Sequence, residues 1–303
     1  MTTPTALFAG PGAYRTLHPN LTGSDPFTPH RPLGGQTPLS SRGAFSLQMG
    51  TRGGENALLN VKGGLTPFGG GWVEVVVSGG AYLALGGDRL LVSGVGVPMG
   101  PVTLMVDRLE GLGLEVGMPV LVETEALVVG GQRVSTGRMR PWRGSRPGAV
   151  RGDPRPVAEA VLRRIAAPDT AIRKGLEALA AGDVRRGARL LAGLGRGLTP
   201  EGDDVLAGHA AWCHAAGARL RVSELVAGRA SPIGLAYLRC AERGELFAPA
   251  AALLAAIRGG EHERALSLLP AVRALGASSG TALVWGIAAG AVSSTTVDEH
   301  SPS

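Results

Sequence analysis

The run LGRGLTPEGDDVLAGH, from Leu194 to His209, sets the reading of this chain. It holds Gly195, Gly197, Gly202 and Gly208, the pair Thr199-Pro200 and the adjacent acids Asp203 and Asp204. Apolar residues at helical spacing lie on both sides: Val184, Ala188, Leu191 and Leu194 before it, and Val205 to Ala216 after it. Such a pattern predicts two helices joined by a glycine-rich turn. No strand signal precedes the turn and no Lys-Ser/Thr pair closes it. A dinucleotide fingerprint and a Walker A loop are therefore both excluded.

Working outward, alanine and leucine dominate from Pro156 to Ala291. Val157, Val161, Leu162 and Ile165 mark one amphipathic helix, and Ile172, Leu176 and Leu179 another. Beyond the turn, helices are expected over 233–240, 247–257, 265–275 and 279–291. Asp169, Asp183 and Ser231-Pro232 stand where N-caps and a first-turn proline belong. The expectation is an α-helical domain over residues 156–292, with roughly seven to nine helices and short connections.

Upstream the pattern has a different period. Trp72–Val77, Tyr82–Leu85, Leu90–Val92, Val102–Val106, Val120–Val122 and Ala126–Val129 are short, apolar or β-branched, and parted by glycine turns. This spacing predicts an antiparallel β-sandwich or small barrel over 45–135, with at most a single helical turn near Leu109–Leu114. The fold class expected is α+β, with the β-rich domain first. Residues 1–44, with Pro4, Pro11, Pro19, Pro26, Pro29, Pro32 and Pro38, read as a flexible arm. Residues 136–155 read as an arginine-rich linker and 293–303 as a tail.

Composition removes several function classes. The 303 residues carry a net charge of +6, and arginine supplies nearly all of the positive charge. The densest cluster, Arg133, Arg138, Arg140, Arg143, Arg146, Arg151 and Arg155, has only Trp142 among it and no nucleic-acid-binding signature. It reads as a solvated linker or docking arm, and no nucleic-acid partner is expected. No apolar run reaches the roughly 18 residues of a membrane span. Cys213 and Cys240 form no CxxC pair, and no signal-peptide pattern opens the chain. A cytoplasmic protein is expected.

The turn at 195–204 admits three roles. Backbone N–H groups near Gly195, Gly197 and Gly202, with the Thr199 hydroxyl, can cradle a phosphate or carboxylate. Asp203 or Asp204 can hold a divalent cation such as Mg2+, or orient a reacting group. In the third role the glycines merely stop one helix while the acids favour the start of the next. A second loop of similar character, Gly276-Ala277-Ser278-Ser279-Gly280, also ends one helix and opens another. Either this loop is a serine N-cap at a small-residue helix crossing, or the two helix starts converge, with Ser278, Ser279 and Gly280 completing a site for a small anion. His209 shares a stripe with Val205, Trp212 and Cys213 and reads as a packed histidine; with Cys213 it makes only two ligands of a metal site. The stretch Gly64-Leu65-Thr66-Pro67-Phe68-Gly69 echoes the turn without its acids and reads as chance.

The motif GxGLTPEGDDVLAG at Gly195–Gly208 resembles the hallmark of the AllH-type family of oxamate carbamoyltransferase subunits. The β-rich first half with its Met99-Gly100-Pro101 turn, and the Gly-x-Ser-Ser-Gly at 276–280, resemble that family more diffusely. The resemblance implies anaerobic allantoin catabolism, with oxalurate and phosphate converted to oxamate and carbamoyl phosphate, or the reverse. It also implies partner chains: an FdrA-like subunit akin to acyl-CoA synthetases, and a further subunit. In this reading Asp203 and Asp204 are catalytic, and Gly195, Gly197, Thr199, Gly202, Ser278, Ser279 and Gly280 hold the anion. The chain departs from the family pattern at Glu201, where serine is usual, and at Ala277, where histidine is usual. A carboxylate at 201 would repel an anion unless turned away or paired. Those departures keep open a second role, a binding or scaffold subunit without chemistry of its own.

Overall fold

A computed structural model describes residues 4–10, 13, 17, 70–142 and 152–293. Most of the proline-rich arm, the 64–69 echo, Arg143, Arg146, Arg151 and residues 294–303 lie outside the described residues. The strands are β1 (Ala6–Ala9), β2 (Gly70–Val77), β3 (Gly80–Leu85), β4 (Asp88–Ser93), β5 (Thr103–Val106), β6 (Pro119–Glu123), β7 (Ala126–Val129), β8 (Gln132–Ser135) and β9 (Arg140–Pro141). They form one curled sheet in the order β8-β7-β6-β2-β3-β4-β5-β1-β9.

Alternation fills the inside of the curl. Leu83, Leu90, Val92, Leu104, Val120, Leu127 and Val134 are buried there, as period-2 strands with one enclosed face require. The sheet nearly closes on itself. A parallel bridge joins Thr5 to Ser135, and the Ser135 N–H donates to the Pro4 carbonyl at 2.9 Å. Of the two architectures expected, a half-barrel replaces the sandwich.

Three features correct the sequence reading. Residues 6–9, assigned to the arm, form β1, an inner strand between β5 and β9. Ala6 and Ala9 are buried, and their small side chains carry little periodic signal. Arg140–Pro141, assigned to the linker, form β9. The pairing is also not wholly antiparallel: β4 with β5 and β1 with β9 run parallel. The segment between β4 and β5 re-enters the sheet through Met99-Gly100-Pro101 rather than by a hairpin. Among the described residues from 70 to 142, the helical piece is a single 3-10 turn at Glu110–Leu112.

The helices described after the sheet are α1 (Arg155–Leu162), α2 (Thr170–Ala180), α3 (Val184–Leu191), α4 (Glu201–Ala215), α5 (Val222–Val226), α6 (Pro232–Ala241), α7 (Ala248–Arg258), α8 (His262–Arg273) and α9 (Ser279–Ser293). The anticipated caps are present. Asp169 accepts the Ile172 N–H at 2.8 Å, Asp183 that of Arg186 at 3.0 Å, and Ser231 that of Gly234 at 2.9 Å. Only α5, five residues long, was not anticipated; one turn and a half is too short to declare a period.

At the centre α4 crosses α9. A Cβ on Gly208 would overlap the Leu283 carbonyl, and one on Gly286 would overlap that of Val205. Each helix thus offers a bare backbone where the other passes. Both helices are buried around most of their circumference, which explains their weak amphipathic signal.

The sheet docks through its outer face. Val75, Tyr82 and Val102 pack with Ile233, Ala236, Tyr237 and Cys240 of α6. Gly100 lies under the Phe247 ring, where a Cβ would clash. The Ala248 N–H donates to the Met99 carbonyl at 3.0 Å, and the Tyr82 and Tyr237 hydroxyls lie 3.1 Å apart.

A candidate anion site where two helix starts meet

The glycine turn folds as a left-handed excursion before α4. Gly195 and Gly197 have φ of +116° and +85°, values that side chains with a Cβ rarely adopt. Gly202 has a different task. Its missing side chain admits the Leu191 carbonyl, which a Cβ would overlap, and its N–H is spent on the Leu194 carbonyl at 2.8 Å. Gly202 therefore packs the turn and is not available as an anion donor. Gly280 is used in the same way: its N–H donates to Leu275 at 2.9 Å, and a Cβ would overlap the Val272 carbonyl.

Asp203 and Asp204, adjacent on α4, point about 100° apart around the helix axis and do unlike work. Asp203 is 1 % exposed, and both of its oxygens take backbone donors. Oδ1 accepts the Gly193 N–H at 2.8 Å and Oδ2 the Ser231 N–H at 2.8 Å. The Ser231 hydroxyl donates in turn to the Leu198 carbonyl at 2.8 Å. The acid and the serine together fasten the turn to the start of α6. Burial raises the Asp203 pKa, and these N–H donors oppose the rise.

Asp204 faces the other way. It is 5 % exposed, and its Oδ2 has no hydrogen-bond partner. Burial is the main force on it and pushes its pKa up to about 8; the hydroxyls of Ser279 and Thr199 pull it down, and the charges of Asp203 and Glu201 push it up again. At neutral pH this side chain is mostly a carboxylic acid. The Thr199 and Ser279 hydroxyls, both half-buried, lie 2.9 Å apart. The two loops expected to converge do so at these hydroxyls. Ser278 gives its carbonyl to the Ala282 N–H at 3.0 Å, the first full turn of α9.

Glu201 supplies a feature invisible in the sequence. Its Oε2 accepts the Arg196 N–H at 3.1 Å, and its carboxylate fills the space a Cβ on Gly195 would need. The chain's own carboxylate thus lies over the positive-φ turn, where an anion had been expected. Tyr82 and Tyr237 were also missed by sequence reasoning. Burial is the main cause of the raised pKa of each, and the Asp204 charge adds to both. No motif links two tyrosines in different halves of the chain; the sheet-to-helix docking alone brings them near Asp204.

His209 is buried and neutral, with burial lowering its pKa to about 4 and its Nδ1 without a partner. Its Nε2 lies 3.6 Å from the Cys213 sulfur, a packed pair of half-polar groups. Among the described residues, no three His, Cys, Asp or Glu side chains gather as a metal set. The donor set around Asp203 and Asp204 does not suit Mg2+, which binds through ionised oxygens and retains several waters. Asp203 has given both oxygens to N–H donors, which leaves the buried Asp204 as the one carboxyl of the pair with a free oxygen.

Fold and site together define an α+β chain, a curled sheet followed by a helical region that joins a pair of helix starts over one buried acid. Residues 191–291, about a third of the chain, match the family model described as oxamate carbamoyltransferase subunit AllH. The match starts at the last residue of α3 and ends within α9, so it spans the turn, both acids and the Ser278-Ser279 loop. It covers a narrower stretch than the resemblance read from the residues and leaves out the sheet. No curated protein and no solved structure matches the chain.

Proposed function

We propose that the chain contributes a small-anion site to an oxamate carbamoyltransferase complex, which interconverts oxalurate plus phosphate with oxamate plus carbamoyl phosphate. One observation carries the reading: the Thr199 and Ser279 hydroxyls, from two helix starts, lie 2.9 Å apart over a buried acid. A phosphate or carboxylate oxygen meeting that pair would accept from hydroxyl donors near two positive helix ends. Gly195, Gly197 and Ser278 shape the rim, and Asp204 is the acid available to the reacting groups. Asp203 acts as the brace that fixes them. The proposed partners are an FdrA-like subunit and a further subunit, because these residues alone offer no nucleophile with its base. Two free cysteines suit a reducing compartment, here the cytoplasm. No helix among the described residues is long and apolar enough to cross a membrane.

The test mixes the full chain with those partners and measures carbamoyl phosphate formed from oxalurate and phosphate. Thr199→Val and Ser279→Ala are expected to abolish most of the activity while the complex still assembles. Full activity in both variants would sink the site. A second reading, a scaffold subunit without a ligand, is favoured by Glu201, whose carboxylate already lies on the Arg196 N–H. Activity that requires the chain yet is indifferent to both hydroxyls would establish that alternative.

A further inference from the structure

The Asp204 carboxyl is the least explained group in the molecule. It is nine-tenths buried, it keeps one oxygen without a partner, and among the described residues the side chains that hydrogen-bond it are the two hydroxyls of Thr199 and Ser279 at the mouth. A hydroxyl has one hydrogen to give and lone pairs to receive. What lies behind the Thr199–Ser279 pair therefore decides what the pair can offer in front. A carboxylate behind it would draw both hydrogens inward and leave lone pairs facing out, a surface that suits a cation. A carboxylic acid behind it can donate forward into the pair, so a hydroxyl hydrogen is released toward the mouth, a surface that suits an anion.

We propose that Asp204 sets the polarity of the Thr199–Ser279 pair, so that the site takes an oxyanion only while Asp204 carries its proton. The inference rests on the anion-site reading above and deepens it: the ligand class is a fully ionised oxyanion, bound without a metal. The atoms balance, because no bond to the ligand forms or breaks and the Asp204 proton stays within the hydrogen-bonded chain.

The groups around Asp204 permit one titration in the relevant range. On α4, Glu201 and Asp203 add negative charge near it. Arg196 lies on the preceding loop. From β3 and α6, Tyr82 and Tyr237 have pKa values raised above 10, chiefly by burial, and stay neutral through pH 9. Helix α9, which carries Ser279, holds no charged side chain over Ser279–Ser293. Asp204, pushed to about 8, is the group that changes between pH 7 and pH 9.

The experiment is calorimetric titration of the full chain with sulfate and, separately, with oxamate. Both probes keep a constant charge between pH 7 and pH 9, and together they distinguish a tetrahedral oxyanion from a planar carboxylate. With a binding-competent acid of pKa about 8, the apparent dissociation constant should rise about tenfold from pH 7 to pH 9. Asp204→Asn, which keeps a donor at every pH, should bind with no such rise, and its melting curve verifies that it folds. The wild-type comparison stands even if the variant does not fold. Equal wild-type affinity at both pH values, an unchanged rise in a folded Asp204→Asn, binding that tightens with Mg2+, or no binding of either probe would each overturn the proposal. Carbamoyl phosphate formation by the assembled complex reports on the carbamoyltransferase reading separately, so either idea can fail while the other stands.

Discussion

Asp203 and Ser231 clasp the glycine turn together: the acid accepts the serine's backbone N–H at 2.8 Å, and the serine hydroxyl donates to the Leu198 carbonyl at 2.8 Å. The turn that presents Thr199 is thus fixed to the start of α6 by these two bonds. Asp203→Ala removes acceptors from two backbone donors and should cost about 2–4 kcal/mol in chemical denaturation. Asp203→Asn should also destabilise, because its amide hydrogens would face one of those N–H groups. A loss near zero in the alanine variant would mean that the brace is not one.

The α4–α9 crossing predicts a second outcome. Gly208→Ala and Gly286→Ala would each drive a methyl into a carbonyl of the opposite helix, and backbone yields less easily than a flexible side chain. Each should lose about 2 kcal/mol or more in an unfolding titration. Gly197→Ala, where a Cβ would meet open space but φ is +85°, should cost about 1 kcal/mol. If all three lost the same amount, the close approach would not be the cause.

Stability should respond to pH through two opposing groups. His209 has a folded pKa of about 4, below its ordinary 6.5. The unfolded chain binds the extra proton between those values, so stability falls as pH drops through that window. Asp204 has a folded pKa of about 8, above its ordinary 3.8. The folded chain holds the extra proton, so its contribution is fully present below 3.8 and is lost as pH climbs to 8. From pH 6.5 to 8 the His209 term no longer opposes it, and the Asp204 slope amounts to about 2 kcal/mol at 1.36 kcal/mol per unit. Melting temperatures should decline over that range in the wild type and not in Asp204→Asn, while His209→Gln should lose the sensitivity between pH 4 and 6.5.

Glu201 offers a test of what its carboxylate does over the turn. Glu201→Ser removes a negative charge near Asp204 and frees the Arg196 N–H. Sulfate binding should tighten several-fold in titration calorimetry at pH 7, more at low salt than at high salt. Unchanged or weaker binding would show that Glu201 is neutral toward the ligand or assists it.

Much of the fold was legible because each half keeps one period. The six β segments from Trp72 to Val129 correspond to β2–β7, and the caps at Asp169, Asp183 and Ser231 sit where their chemistry places them. The meeting of the two small-residue loops was legible too, since each opened a helix. What escaped depended on distance in the chain. Ala6–Ala9 and Arg140–Pro141 are strands because other strands receive them, and Tyr82 comes near Asp204 because the sheet docks on α6. The opposite duties of Asp203 and Asp204 also escaped, since a row of letters does not state which way a helix turns its neighbours. Nor could it tell that Glu201 would fold back onto Arg196.

The strand at Ala6–Ala9 has a further consequence, for the order of assembly. Its neighbours are Thr103–Val106 on one side and Arg140–Pro141 on the other, and Thr5 also donates its N–H to Asp107 at 2.8 Å. During synthesis residues 6–9 must wait for partners made about a hundred positions later, while β5 stands as an open edge. That short strand is thus the piece that fills the seam of the half-barrel, so a change there is felt between strands far apart in the chain.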